Sequence, residues 1–179
     1  MREEPSVFDL IIFDWGNTVM QDFPEFSGPM VTWPRVKAMP GIHQALRELA
    51  PIYRLALATN AYDSGAEQVR AALKRSKLDG YFDLIVTSHE LGVTKPDPSF
   101  FENVLIAMNT VPHRAVMVGD NFRTDIVGAK YAGLWTVWYN PAGAESPPDV
   151  PFSADAQVRS LEDLPVAIWH LDRLADSSI

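Results

Sequence analysis

Five short apolar runs rich in β-forming residues return along the chain, separated by segments of helical period: VFDLIIF (7–13), YRLALAT (53–59), FDLIVT (82–87), AVMVGD (115–120) and LWTVWY (134–139). The intervening GIHQALRELA, SGAEQVRAALKRS, PSFFENVLIAMN and DIVGAKYAG repeat apolar residues at helical spacing, and Pro98 and Ser99 suit a helix start. Strands that are apolar on both sides have no face for water, so helices must cover them above and below. The pattern predicts an α/β fold: a Rossmann-like, mainly parallel sheet of about five or more strands flanked by helices on both faces. Ligands in such sheets bind beyond the carboxyl ends of the strands. That singles out the polar residues ending the runs: Asp14, Thr59, Ser88 and Asp120.

At 179 residues the chain has the size of one domain, 1–179. Its strand-bearing core covers about 7–140, and a loop-rich stretch, PAGAESPPDVP, leads into a C-terminal loop and helix over 141–179. No apolar run approaches the ~20 residues of a bilayer crossing. The opening MREEPSVFDL carries acids and a proline where a secretory leader carries basic and apolar residues, so a cytoplasmic location is expected. The absence of cysteine excludes disulfides, thiolate nucleophiles and thiolate-bound zinc. A net charge of -8 without clustered Lys and Arg argues against non-specific nucleic-acid binding. His43, His89, His113 and His170 lack ligand spacing and read as surface or partly packed residues.

Asp14 and Asp120 end separate apolar strands, where a buried carboxylate needs a cation or donors to offset its charge. Oxygen ligands favour Mg2+, which takes few carboxylates and completes its shell with water and phosphate. The Thr59 hydroxyl and the backbone amide of Asn60, at a turn expected to open a helix, are placed to hold phosphoryl oxygens. Lys95, followed by Pro96, supplies a charge to neutralise phosphate. Each residue taken singly has an ordinary structural reading, as a cap, a strand filler or a solvated lysine. Asp125 likewise could simply cap the helix DIVGAKYAG.

Order and combination change the balance. FDWGNT (13–18), LATNA (57–61), GVTKPDP (92–98) and VGDNFRTDIVGAKYAG (118–133) resemble the four ordered motifs of the haloacid dehalogenase-like superfamily. The resemblance covers about Val7 to Asn140. It implies that Asp14 attacks phosphorus and forms an aspartyl-phosphate that water then hydrolyses. It also implies Mg2+ bound by Asp14, Asp120 and the backbone carbonyl of Gly16, with Thr59 and Asn60 on phosphate and Lys95 on the developing charge. Asn121 and Asp125 match supporting positions.

The resemblance breaks at Gly16, where phosphatases of the superfamily usually carry a second Asp that protonates the leaving group and later activates water. Asp22 or Glu25 in the following segment could swing in as a substitute, but neither has the matching spacing, and both read as solvated loop acids. Loss of such an acid typically costs ~100- to 10,000-fold in the step it assists. The sequence therefore implies a Mg2+-dependent phosphohydrolase that is weak or restricted to good leaving groups. The alternative is a catalytically reduced phosphate- and Mg2+-binding module of the same fold, regulatory or interacting. The intervals from Asp14 to Thr59 (59 minus 14, 45 positions) and from Thr59 to Lys95 (95 minus 59, 36 positions) leave no room for a separate cap domain. An uncapped site suits a phosphorylated substrate that is large or macromolecular, or cover by a partner or by a second copy in a homo-oligomer. Trp15, Phe23, Phe26 and Trp33 are candidates for that covering surface or for packing of a flap on its own domain. Trp135 and Trp138 read as sheet residues.

Overall fold

A computed structural model describes residues 6–177; the acidic opening of the chain falls largely in residues 1–5, outside the described residues. The chain runs β1 (Leu10–Phe13), α1 (Ile42–Leu49), β2 (Arg54–Thr59), α2 (Ala66–Arg75), β3 (Leu84–Thr87), α3 (Ser88–Leu91) and α4 (Pro98–Ala107). It continues through β4 (Ala115–Gly119), a π-helical stretch over Phe122–Val127, α5 (Gly128–Tyr131), β5 (Trp135–Tyr139), β6 (Ala156–Val158) and α6 (Leu164–Asp176). All strand pairs are parallel, in the order β3-β2-β1-β4-β5-β6.

That order puts β1 beside both β2 and β4, so the chain leaves β1 toward one edge and returns on its other side at β4. A crevice opens at the carboxyl ends where the winding reverses. Register brings Phe13 level with Leu57 on one side and Val118 on the other. The residues that follow, Asp14 and Asp120, therefore emerge side by side at this switch point.

The apolar strands read as they do because alternate residues serve different helices. Ile11, Phe13, Leu55 and Leu57 join a core with residues of α1, α2 and α6. Leu10, Ile12, Ala56 and Ala58 join a second core with Phe100, Phe101 and Val104 of α4. Each large side chain buried this way contributes roughly 1.5–3 kcal/mol, before the entropy of ordering it.

Three departures from the sequence reading have a visible local cause. The first strand begins at Leu10 rather than Val7, because the amide of Phe8 donates to the Asp172 carboxylate at 2.9 Å instead of joining the ladder. The segment after 141 contains a sixth strand, β6, fastened by Asp155, whose carboxylate accepts from the Thr136 amide at 2.8 Å. The helix expected from Asp125 starts at Phe122, because the Asn121 side chain caps it by accepting from the amides of Arg123 and Thr124, both at 3.1 Å. No described helix is long and apolar enough to cross a membrane. Among the described residues, the helices and strands in the two intervals considered for a cap are α1, β2, α2, β3 and α3, with short 3-10 turns between them.

Candidate active site

Asp14 follows β1 but stays tied to its neighbour, its amide donating to the Val118 carbonyl at 2.9 Å. The chain then coils tightly. The Trp15 carbonyl accepts from the amides of Val19 and Met20 at 2.9 Å, and Asn17 adopts a left-handed φ of 55°, which Asn tolerates. This coil carries the fully buried Thr18 under the site. Its hydroxyl accepts from the Asp120 amide at 3.1 Å and lies 3.4 Å from a carboxylate oxygen of both Asp14 and Asp120. Thr18 was missed in the sequence, where a Thr four places beyond Asp14 carries no separate signal.

Lys95 reaches the same point from the loop before α4. Its Nζ donates to Asp14 and to Asp125, each at 2.7 Å, and its side chain is 1 % exposed. Burial alone would drive the ammonium toward its neutral form. The charges of Asp125 and Asp14 outweigh that and hold its proton more tightly than in an ordinary lysine. Asn60 clamps the Lys95 backbone: its side chain donates to the Lys95 carbonyl and accepts from the Lys95 amide, both at 2.8 Å.

Asp125 projects from the π-helical stretch and spends both oxygens, one on Lys95 and one accepting from the Asn121 amide at 3.0 Å. Burial pushes its carboxyl up, against the pull of Lys95. It approaches so closely that a Cβ at Gly119 would overlap its carboxyl group, which accounts for glycine before Asp120. Burial, then the neighbouring Asp14, raises the Asp120 carboxyl to about 6. A cation between the two carboxylates would offset that repulsion.

Ligand oxygens of Asp14, Asp120 and Asp125 lie within 4.8 Å of one another. With Asp125 already committed, Asp14 and Asp120 remain to hold a metal, and this all-oxygen donor set fits Mg2+. The residues singled out from sequence thus meet in one cleft of ≈ 680 Å³, which Asp14, Gly16, Thr59, Asn60, Lys95, Asp120, Asn121 and Asp125 all line. No hydrogen bond engages the Thr59 hydroxyl among the described residues, leaving it available to a ligand.

Three expectations, and the alternative helix-cap reading of Asp125, are corrected. Ser88 does not line the cleft; its hydroxyl donates to the Ala61 carbonyl at 3.3 Å. Asn60 does not open a helix, since α2 begins only at Ala66, so its amide acts from a turn without a helix dipole behind it. Asp125 lies within its helix and supports Lys95 rather than capping. Asp22 is not simply a solvated loop acid: although exposed, it lines the cleft, and burial, then the Asp14 charge, raises its carboxyl. Glu25 is the solvated acid expected, paired with Arg35 at 2.6 Å on the outside.

The aromatic residues after β1 pack on one another and border the cleft. Phe23, Phe26 and Trp33 stack with ring centroids 5.6–6.4 Å apart. Phe26 and Trp33 also wall the cleft, with Trp15 beside them. The Trp15 indole Nε1 is the one buried side-chain polar atom without a partner among the described residues. Trp138 lies in β5 as expected, and its indole donates to the Asp120 carbonyl at 2.9 Å, bracing the second carboxylate from behind. The four histidines are all exposed.

The pattern of the haloacid dehalogenase-like hydrolases matches residues 13–139. The chain is 37% identical over 128 residues to the pyrimidine 5'-nucleotidase YjjG of Escherichia coli, covering 70% of this chain and 56% of that protein. It is 32% identical over 172 residues to the N-acylneuraminate-9-phosphatase of Mus musculus, covering 93% of this chain and 61% of that one. It therefore spans little more than half the length of either relative. Among solved structures, an uncharacterized protein from Listeria monocytogenes superposes with a TM-score of 0.83 at 28% identity, over 93% of this chain and 99% of that one.

Proposed function

The chain belongs to the haloacid dehalogenase-like hydrolases, and from that premise we propose that it is a Mg2+-dependent phosphohydrolase acting through an aspartyl-phosphate on Asp14. The observation that carries the reading is the single buried ammonium of Lys95 held between Asp14 and Asp125, with Asp120 at the same switch point. A structural ion pair would need neither the extra carboxylate nor a cleft. A nucleophilic carboxylate that must approach a phosphate dianion needs positive charge on both sides.

Asp14, Asp120 and the Gly16 carbonyl would hold the metal, which when bound shields the dianion from the attacking carboxylate. Asp14 forms the bond to phosphorus. The free Thr59 hydroxyl and the Asn60 amide receive phosphoryl oxygens and orient them. Lys95, fixed through its own backbone by Asn60, stabilises charge on the transferring group and on the intermediate. Phe26 and Trp33 wall one side of a mouth that stays open to a phosphorylated substrate, including a large one.

Hydrolysis of acetyl phosphate and p-nitrophenyl phosphate, with and without Mg2+, tests this reading beside Asp14→Asn. Metal-dependent turnover that the variant loses is expected. Binding of Mg2+ and vanadate without any turnover above the variant would instead identify a non-catalytic module.

A further inference from the structure

Cleaving an alkyl phosphate leaves an alkoxide on the departing group, so some residue in the cleft must hand that oxygen a proton. Five carboxyl groups line the cleft. Asp14 and Asp125 are bound to Lys95, Asp120 is held between Thr18 and the metal position, and Asp63 accepts from the Ser64 hydroxyl at 2.9 Å. The Asp22 carboxylate carries no hydrogen bond or ion pair among the described residues.

Its place is defined by what is missing beside it. A Cβ built on Gly16 would stand 2.5 Å from Asp22 Oδ2, 3.0 Å from its Cγ and 3.2 Å from its Oδ1. The carboxyl group of Asp22 thus fills the space that a side chain two residues after Asp14 would occupy. The coil after β1 holds it there, with the Asp22 amide donating to the Asn17 side chain at 3.1 Å and the Gln21 amide donating to the Lys37 carbonyl at 2.8 Å. Asp22 also keeps contact with solvent, so its proton can be replaced between turnovers.

We propose that Asp22 is the general acid and base of this site, contributed by the folded-back loop into the space left open at Gly16. The inference rests on the phosphohydrolase reading. In the first step Asp14 bonds to phosphorus, the bond from phosphorus to the ester oxygen breaks, and the Asp22 carboxyl gives its proton to that oxygen, releasing an alcohol. In the second step the Asp22 carboxylate takes a proton from the water that attacks the aspartyl-phosphate. This frees Asp14 and inorganic phosphate and restores the Asp22 carboxyl. Alkyl phosphates then fall within the enzyme's range rather than outside it.

The test compares kcat/KM for an alkyl phosphate and for p-nitrophenyl phosphate, with Mg2+, in the wild type, Asp22→Asn and Asp14→Asn, with vanadate-induced thermal shifts as a check on the phosphate pocket. Asp22→Asn is expected to lose about 100-fold or more on the alkyl ester and less than about 10-fold on the aryl ester, with the vanadate shift retained. Equal losses on both esters, or unchanged alkyl turnover, would overturn the role of Asp22 while Asp14-dependent hydrolysis still stood. A wild type without Asp14-dependent turnover on either ester would remove the phosphohydrolase reading and this inference together.

Discussion

The side-chain amide of Asn60 and the backbone of Lys95 exchange two hydrogen bonds of 2.8 Å, so the residue after β2 fixes the chain that carries the buried lysine. Asn60→Ala leaves the Lys95 amide and carbonyl without these partners, at a cost of about 1–3 kcal/mol in stability. The same change loosens the Nζ held 2.7 Å from Asp14 and is expected to lower kcat about 10- to 100-fold with little change in Mg2+ affinity. Thermal denaturation and a Mg2+ dependence of rate read both. A loss confined to KM would place Asn60 on the substrate alone.

Asp120 and Asp125 are neighbours in sequence motif but not in role. Asp125→Asn should keep Mg2+ affinity within a few-fold and lower kcat about 10- to 100-fold, because it weakens the support of Lys95 and leaves Asp14 and Asp120 in place. Asp120→Asn should abolish the Mg2+-induced thermal shift. The indole of Trp138, bonded to the Asp120 carbonyl, gives intrinsic fluorescence close enough to follow the metal titration. Equal loss of Mg2+ binding in both variants would make Asp125 a ligand.

What was legible in the sequence was whatever ends a strand or adjoins a proline. Asp14, Thr59, Lys95 and Asp120 are each marked by the apolar run or the Pro beside them, and parallel topology then forces their convergence. Asp22 and Thr18 carry no such mark, because the coil after β1 places them: Asp22 is eight residues from Asp14 (22 minus 14) and reaches the cleft only because Gly16 leaves space. Strand β6 was hidden for a related reason. Its three residues, Ala156–Val158, include an exposed Gln157 and form no apolar run, so pairing with β5 rather than local pattern creates it.

The Asp9 carboxylate receives both the Nε and an Nη of Arg114, at 2.6 and 2.7 Å, at the amino end of β1. The hydrogen bond from Arg114 holds its carboxyl below the usual carboxylate value. The folded state then binds this proton less readily than the unfolded chain, so its stabilising effect is fully present above the unfolded pKa of about 3.9. It is lost as pH falls through the folded value. Asp9→Asn should destabilise at pH 7 and converge with the wild type in acid, which urea midpoints at the two pH values measure. A variant difference that persists unchanged in acid would point to packing instead of charge.

Arg75 ties the aromatic flap to α2: its guanidinium donates to the carbonyls of Val31, Trp33 and Pro34 at 3.1, 2.7 and 3.4 Å. Those carbonyls belong to the segment whose Phe26 and Trp33 wall the cleft, while the guanidinium itself is exposed. Arg75→Ala therefore removes little folding stability, about 0.5–1.5 kcal/mol, but releases one wall of the site. Limited proteolysis should then cut within 23–36 faster than in the wild type, since local opening rather than global unfolding exposes that segment. KM should rise several-fold with kcat nearly unchanged, because Asp14 and Asp120 follow strands of the sheet and Lys95 lies on the loop before α4, none of them on the flap. If kcat fell as far as KM rose, the flap would be acting on the chemistry itself, through the coil that holds Asp22 beside Gly16.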